Sequence, residues 1–161
     1  MAAKGGFVLT VVRDEAQWRV DRLPDGLQVD LDGIIRALSQ QAAEGGAIGV
    51  VDVADEFFVA VRVVPGGAPR LLLSDVTAAV EWELARRVLD KLGEEPPEED
   101  ELDEVWPAGD LGIFTDLGLN EMDLAAILGD LDLYADEMLL DIARRVGFAE
   151  AYQVAVGATV R

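Results

Sequence analysis

Two neighbouring apolar stretches decide the fold, Ala47-Ile-Gly-Val-Val-Asp-Val53 and Phe57-Phe-Val-Ala-Val-Arg-Val-Val64. Their β-branched and aromatic residues predict two strands, which Ala54-Asp55-Glu56 joins. The second stretch is almost continuously apolar, which is typical of a central strand covered on both faces. We therefore expect a sheet with helices packed against it.

The flanking segments extend this pattern. Residues 7–12 and 18–23 predict a hairpin, and residues 70–73 predict a fifth strand. Apolar residues at helical spacing predict helices over about 31–42 and 75–92. The order β-β-α-β-β-β-α resembles the profilin-like folds, which include longin and roadblock domains. That resemblance implies an α+β domain with a five-stranded antiparallel sheet. We expect nine residues to share its core: Leu31, Ile34, Ile35, Leu38, Val59, Val61, Val80, Leu84 and Val88.

The remaining chain predicts a division into three parts. Residues 1–92 form the α+β domain, residues 93–105 an acidic linker, and residues 106–161 a helical module packed on this domain or on a partner. Asn120 is a predicted N-cap, followed by a helix whose apolar stripe is expected to include Leu131. A second helix is expected to begin near Asp132 or Leu133 and to end at Gly147. Residues 148–156 are expected to form a last short helix.

The negative charge is concentrated after residue 91. Residues 92–161 contain 18 acidic and 3 basic residues, whereas residues 1–91 contain 14 and 10. Between residues 92 and 143 there is no Lys or Arg at all. Such a surface repels the phosphate backbone, so we expect no direct binding of nucleic acid. It attracts a basic protein surface and speeds the encounter with it.

Composition excludes much common site chemistry. The chain contains no His and no Cys, which removes the commonest general base, the thiolate nucleophile and the usual zinc ligands. Asp130 and Asp132 begin like a calcium loop, but Tyr134 and Ala135 stand where an oxygen ligand and a Gly are needed. Asp110 and Asp116 lack a spacing that forces carboxylates together. We predict no catalytic residue, no cofactor and no metal.

We expect a cytoplasmic protein, because the sequence shows neither a signal peptide nor an apolar run long enough to span a membrane. Its candidate partner-binding residues are acidic, except for a Trp that follows the linker and either fastens the helical module to the body or anchors a partner. They are Glu98, Glu99, Asp100, Glu101, Trp106, Asp130, Asp132, Asp136 and Glu137.

Two segments of the C-terminal half carry a family resemblance. They are Asp110-Leu-Gly-Ile-Phe-Thr-Asp-Leu-Gly-Leu119 and Leu128-Gly-Asp-Leu-Asp-Leu-Tyr-Ala-Asp-Glu-Met-Leu-Leu-Asp-Ile-Ala143. The chain resembles the tRNA adenosine deaminase-associated proteins of actinobacteria, a resemblance that implies a link with the wobble-position deaminase. The chain itself lacks the deaminase zinc signature of His, Glu and paired Cys.

The leading hypothesis is a non-enzymatic accessory or regulatory protein that binds a basic partner, with the tRNA adenosine deaminase as that partner. One alternative is a small-molecule-binding domain, or an enzyme that uses carboxylates alone. Another is a homodimeric scaffold.

Overall fold

A six-stranded antiparallel sheet forms the middle layer of the protein. The computed structural model describes residues 6–14, 16–41, 46–102 and 104–157. Within these ranges the strands are β1 (Gly6–Asp14), β2 (Gln17–Leu23), β3 (Ala47–Val53), β4 (Phe57–Val63), β5 (Arg70–Leu73) and β6 (Ala108–Gly109). They lie side by side in the order β2-β1-β3-β4-β5-β6.

Helices cover both faces of this sheet. Over the same described ranges they are α1 (Leu31–Gln41), α2 (Glu83–Leu92), α3 (Glu121–Leu128), α4 (Ala135–Val146) and α5 (Ala149–Gly157). The prediction of an α+β fold with an antiparallel sheet is confirmed. No helix in the described part of the chain is long and apolar enough to cross a membrane.

The prediction of five strands is wrong, because β6 adds a sixth. Leu72 and Leu73 of β5 pair with Gly109 and Ala108, so a strand from beyond the acidic linker completes the edge of the sheet. Gly109 has a φ of +106°, and a Cβ at this position would lie 2.3 Å from the Leu71 carbonyl oxygen. A side chain would not fit at this close approach. Two residues are too few to show the alternation that identifies a strand in a sequence.

Alternate residues of the central strands enter two separate cores. Val59 and Val61 of β4 pack with α1 and α2 on the first face of the sheet. Phe58 and Ala60 pack with α3, α4 and α5 on the second face. Every residue of β3 and β4 is buried, which confirms the prediction of a central strand covered on both faces. The helices after the linker therefore cover an apolar surface that water would otherwise contact.

One member of the predicted core is misplaced. Val80 is 49% exposed, and Ile35 is half-buried, while the other seven residues are buried together on the first face. The Asp75 carboxylate accepts the Thr77 backbone N–H at 2.9 Å and begins a 3₁₀ helix over Val76–Val80. Trp82 is extended, and α2 starts only at Glu83. The stripe of residues four apart is interrupted between these two helices, so Val80 does not continue the buried face of α2.

We predict that Leu84→Ala lowers the free energy of unfolding by about 2–5 kcal/mol, since Leu84 is buried and the truncation leaves a cavity. Val80→Ala serves as the control on the preceding 3₁₀ helix and should cost less than about 1 kcal/mol. Denaturant unfolding of both variants measures the difference. A loss below about 1 kcal/mol for Leu84→Ala contradicts the assigned α2 face.

Candidate interaction surface

Two arginines fasten the segment after β6 to the sheet. Arg62 of β4 is buried, and its guanidinium donates to the Asp116 carboxylate at 2.9 Å and to the Ile113 carbonyl oxygen at 2.9 Å. Arg70 of β5 donates to the Asp110 carboxylate at 2.6 Å. These hydrogen bonds lower the pKa of both carboxyl groups below the usual range. Asp110 and Asp116 are thus parts of the connection between the sheet and α3.

The start of α4 is held by the turn that joins β3 and β4. Ala54 and Asp55 have φ values of +55° and +59° in this tight turn. The Asp55 carboxylate accepts the Asp136 backbone N–H at 2.9 Å, across 81 residues of sequence. A carboxylate at a helix N-terminus satisfies a free N–H group and complements the helix dipole. Asp55 therefore caps α4 from the body of the protein.

Two of the predicted partner-binding residues lie in this first turn of α4. Glu137 is exposed, but its carboxylate accepts the Tyr134 backbone N–H at 2.9 Å. Asp136 is half-buried beside Asp55. Both residues therefore take part in the helix start as well as contributing negative charge.

A buried carboxyl group lies beneath this contact. Asp52 of β3 is buried and accepts the Asp55 backbone N–H at 2.8 Å. Burial raises the pKa of Asp52 to about 7, and the neighbouring charges of Asp55 and Asp136 add to the effect. Burial and the nearby Asp55 carboxylate also raise the pKa of Asp136 to about 6. The charged forms of these groups are therefore disfavoured in the folded protein.

The turn between α3 and α4 contains two further candidates, Asp130 and Asp132. Both are exposed, and the Asp130 carboxylate accepts the Asp132 backbone N–H at 3.1 Å. The Asn120 side chain caps α3 by accepting the Asp123 backbone N–H at 2.8 Å, as expected. The start of α4 predicted near Asp132 or Leu133 is two to three residues too early, because this turn continues to Tyr134 and α4 begins at Ala135. Leu131, expected in the buried stripe, is 69% exposed for the same reason.

The described residues of the linker lie outside both cores. Glu98, Glu99 and Asp100 are exposed, and Glu101 ends a short 3₁₀ helix, although its side chain lies outside the described residues. Trp106 is half-buried against the first-face core, and its carbonyl oxygen accepts the Val76 backbone N–H at 2.9 Å. Trp106 thus attaches the end of the linker to the body. A role for these residues in binding a partner stays a prediction.

An open groove lies where the end of the linker meets the turn between α3 and α4. Its volume is about 240 Å³. Val105, Leu131, Leu133 and Met138 provide apolar lining, and Glu56 and Asp75 contribute carboxylates. We call this feature the α3–α4 groove.

The sequence pattern does not reveal this groove. Helical spacing predicts that Leu131 lies on the apolar stripe of a helix, and no pattern in the sequence indicates that Val105 lies near it. The Asp55 cap is equally hidden, since nothing in the sequence relates a hairpin turn to a helix start 81 residues later. For metals, the result is negative: among the residues with described positions, no group of three or more acidic side chains could hold an ion.

Comparisons with known proteins identify the family. The model of the Rv3753c-like tRNA adenosine deaminase-associated proteins matches residues 6–149. The chain belongs to this family. It is 44% identical over 146 residues to protein Rv3753c of Mycobacterium tuberculosis. The aligned residues cover 90% of this chain and 84% of that protein. The resemblance found in the sequence is thereby confirmed. No solved structure matches the chain significantly, so the likeness to profilin-like topology stays a prediction.

We predict that Asp52→Asn increases stability near neutral pH. The folded protein retains the Asp52 proton up to a pH of about 7, whereas an unfolded chain loses it near the ordinary pKa of 3.8. Protonated Asp52 therefore makes its full contribution to the free energy of unfolding below pH about 4, and this contribution is lost as the pH rises to about 7. Relative to the wild type, the free energy of unfolding of the variant should be higher by about 1–3 kcal/mol above pH 7 and unchanged at pH 4.

The measurement is denaturant unfolding of the wild type and the variant across this pH range. Asp132→Asn, at an exposed position, is the matched control and should parallel the wild type. A constant difference between Asp52→Asn and the wild type at every pH contradicts the assigned burial of a protonated carboxyl group.

Proposed function

We propose that this protein is a non-enzymatic accessory protein that binds the tRNA adenosine deaminase through its acidic surface. The name of its family supports a link with that enzyme. The observation that carries the proposal is the separation of acidic and apolar residues after residue 92. Leu124, Ile127 and Ile142 are buried against the second face of the sheet. The carboxylates of Glu98, Glu99 and Asp100 in the linker, and of Asp130 and Asp132 in the turn between α3 and α4, remain at the surface.

The excess of negative charge on this surface supports binding to a basic protein. The 17 acidic residues between positions 92 and 143 have no Lys or Arg among them. Ion pairs to other parts of the chain join Asp110 to Arg70, Asp116 to Arg62, and Asp123 and Asp141 to Arg145. Glu99, Asp100, Asp130 and Asp132 are exposed, so a basic partner can approach these carboxylates to within a Debye length of about 8 Å.

A tRNA-binding enzyme must present a basic surface to the phosphate backbone. An acidic protein of this kind is complementary to the same surface, so docking and tRNA binding exclude each other. We infer that the protein holds the deaminase until tRNA competes for the enzyme. This role places it in the cytoplasm and requires no catalytic group from this chain, which has neither His nor Cys.

We predict that the purified chain retains the purified deaminase in a pull-down at low salt and releases it at high salt. Screening of charge by salt weakens contacts between exposed carboxylates and basic side chains. The measurement is the fraction of deaminase retained over a series of salt concentrations. Absence of retention at low salt contradicts the proposed function.

We further predict that the linker carboxylates control the association rate. Replacing Glu98, Glu99, Asp100 and Glu101 by Gln or Asn should slow association with the deaminase roughly 3–10-fold at low salt and flatten its salt dependence. Stopped-flow or surface-based kinetics measures both effects. The free energy of unfolding should change by less than about 0.5 kcal/mol, because exposed charges contribute little to folding.

A matched control removes four charges from other exposed positions: Asp21, Glu81, Asp90 and Glu150. It has the same net charge as the linker variant, so it separates the effect of net charge on the association rate from the effect of charge in the linker. Its association should be slowed less than that of the linker variant. If the linker variant associates at the wild-type rate with the wild-type salt slope, the linker has no part in docking.

A further inference from the structure

The α3–α4 groove borders the acidic turn between α3 and α4, but most of the residues that line it are apolar. Val105 is 43% exposed and Leu131 is 69% exposed, and both contact the same cavity as the half-buried Leu133 and Met138. Single exposed apolar side chains are normal on a protein surface. A group of them around one concavity is instead typical of a binding site.

The local backbone explains why the chain does not fill this groove itself. The turn between α3 and α4 is stabilised by the Asp130 carboxylate, which accepts the Asp132 backbone N–H, and by the Leu133 N–H, which donates to the Asp130 carbonyl oxygen at 3.1 Å. The Asp55 cap then sets the position of α4. Leu131 is thereby held in the turn and outside the core.

The groove has room for one large apolar side chain. Its volume is about 240 Å³, and an apolar cavity of about 150 Å³ already accommodates benzene. Met138 contributes an unbranched, adaptable side chain to the wall, which suits the reception of differently shaped apolar groups.

The charge around the groove selects the kind of partner. Its ionisable lining residues are Glu56 and Asp75, and Leu131 lies between the exposed Asp130 and Asp132. Nucleic acids and anionic membranes are repelled by such a rim. A second copy of this chain is also disfavoured, because each copy carries a net charge of −19. A positively charged polypeptide segment is complementary to it.

We propose that the α3–α4 groove receives one large apolar side chain from a basic segment of the partner protein. The proposal rests on the proposed function for the identity of that partner, the tRNA adenosine deaminase. The linker carboxylates then set the rate of encounter, and the groove sets the lifetime of the complex. Buried apolar anchors of this type contribute a large share of the affinity at protein interfaces.

The first test measures deaminase affinity for Leu131→Ser. We expect a Kd about 5–30-fold higher than that of the wild type, with an unchanged salt slope because no charge is removed. Since Leu131 is mostly exposed, the variant should unfold like the wild type. Met122→Ser removes an 82% exposed side chain that does not line the groove, and it should bind within about twofold of the wild type. Wild-type affinity for Leu131→Ser overturns the groove proposal and leaves the proposed function standing.

The second test does not depend on the deaminase. Two synthetic peptides, each with four arginines, carry either a central leucine or a central serine, and their affinities are measured by fluorescence anisotropy. The leucine peptide should bind the wild type several-fold more tightly, and Leu131→Ser should abolish that difference. Equal affinities for the two peptides overturn the groove proposal. Failure of the deaminase alone to bind, with the peptide difference intact, overturns the proposed partner but supports the groove.

Discussion

The central strands β3 and β4 are apolar on both faces, so the sheet needs a layer of helices on each side. The helices α1 and α2 cover the first face, and α3, α4 and α5 cover the second. The requirement to cover the second face draws the apolar residues of the C-terminal half inward. Most of the described acidic residues of the same segment consequently lie at the surface, which is the basis of the proposed interaction surface.

Buried polar groups fix the C-terminal helices on the second face. Arg62 pairs with Asp116 through the bidentate geometry that guanidinium and carboxylate groups favour. Asp52 supports the turn from which Asp55 caps α4. Apolar packing is not directional, whereas these hydrogen bonds require particular partners at particular distances. They therefore select one arrangement of the helices over others that would bury a similar area. The same arrangement leaves the α3–α4 groove open at the end of the linker.

Local sequence signals predict the elements well where a short-range interaction decides them. The strands over 47–53 and 57–63, the Asn120 cap and the end of α2 at Gly93 all follow from neighbouring residues. Interactions between distant residues account for the errors and omissions. The strand β6 exists only by pairing with β5, and the α4 cap comes from a hairpin 81 residues earlier. Leu131 has the spacing of a buried residue, but the helix ends before it. The groove is lined by residues that lie far apart in the chain, from Glu56 to Met138, and so has no signature in the sequence.

We propose above all that the acidic surface and tRNA bind the same basic surface of the deaminase. Fluorescence anisotropy of labelled tRNA bound to the purified deaminase, titrated with this protein at low salt, tests that claim most directly. We expect the anisotropy to fall to the value of free tRNA as the protein is added. An anisotropy that stays constant, or that rises as a ternary complex forms, would contradict it.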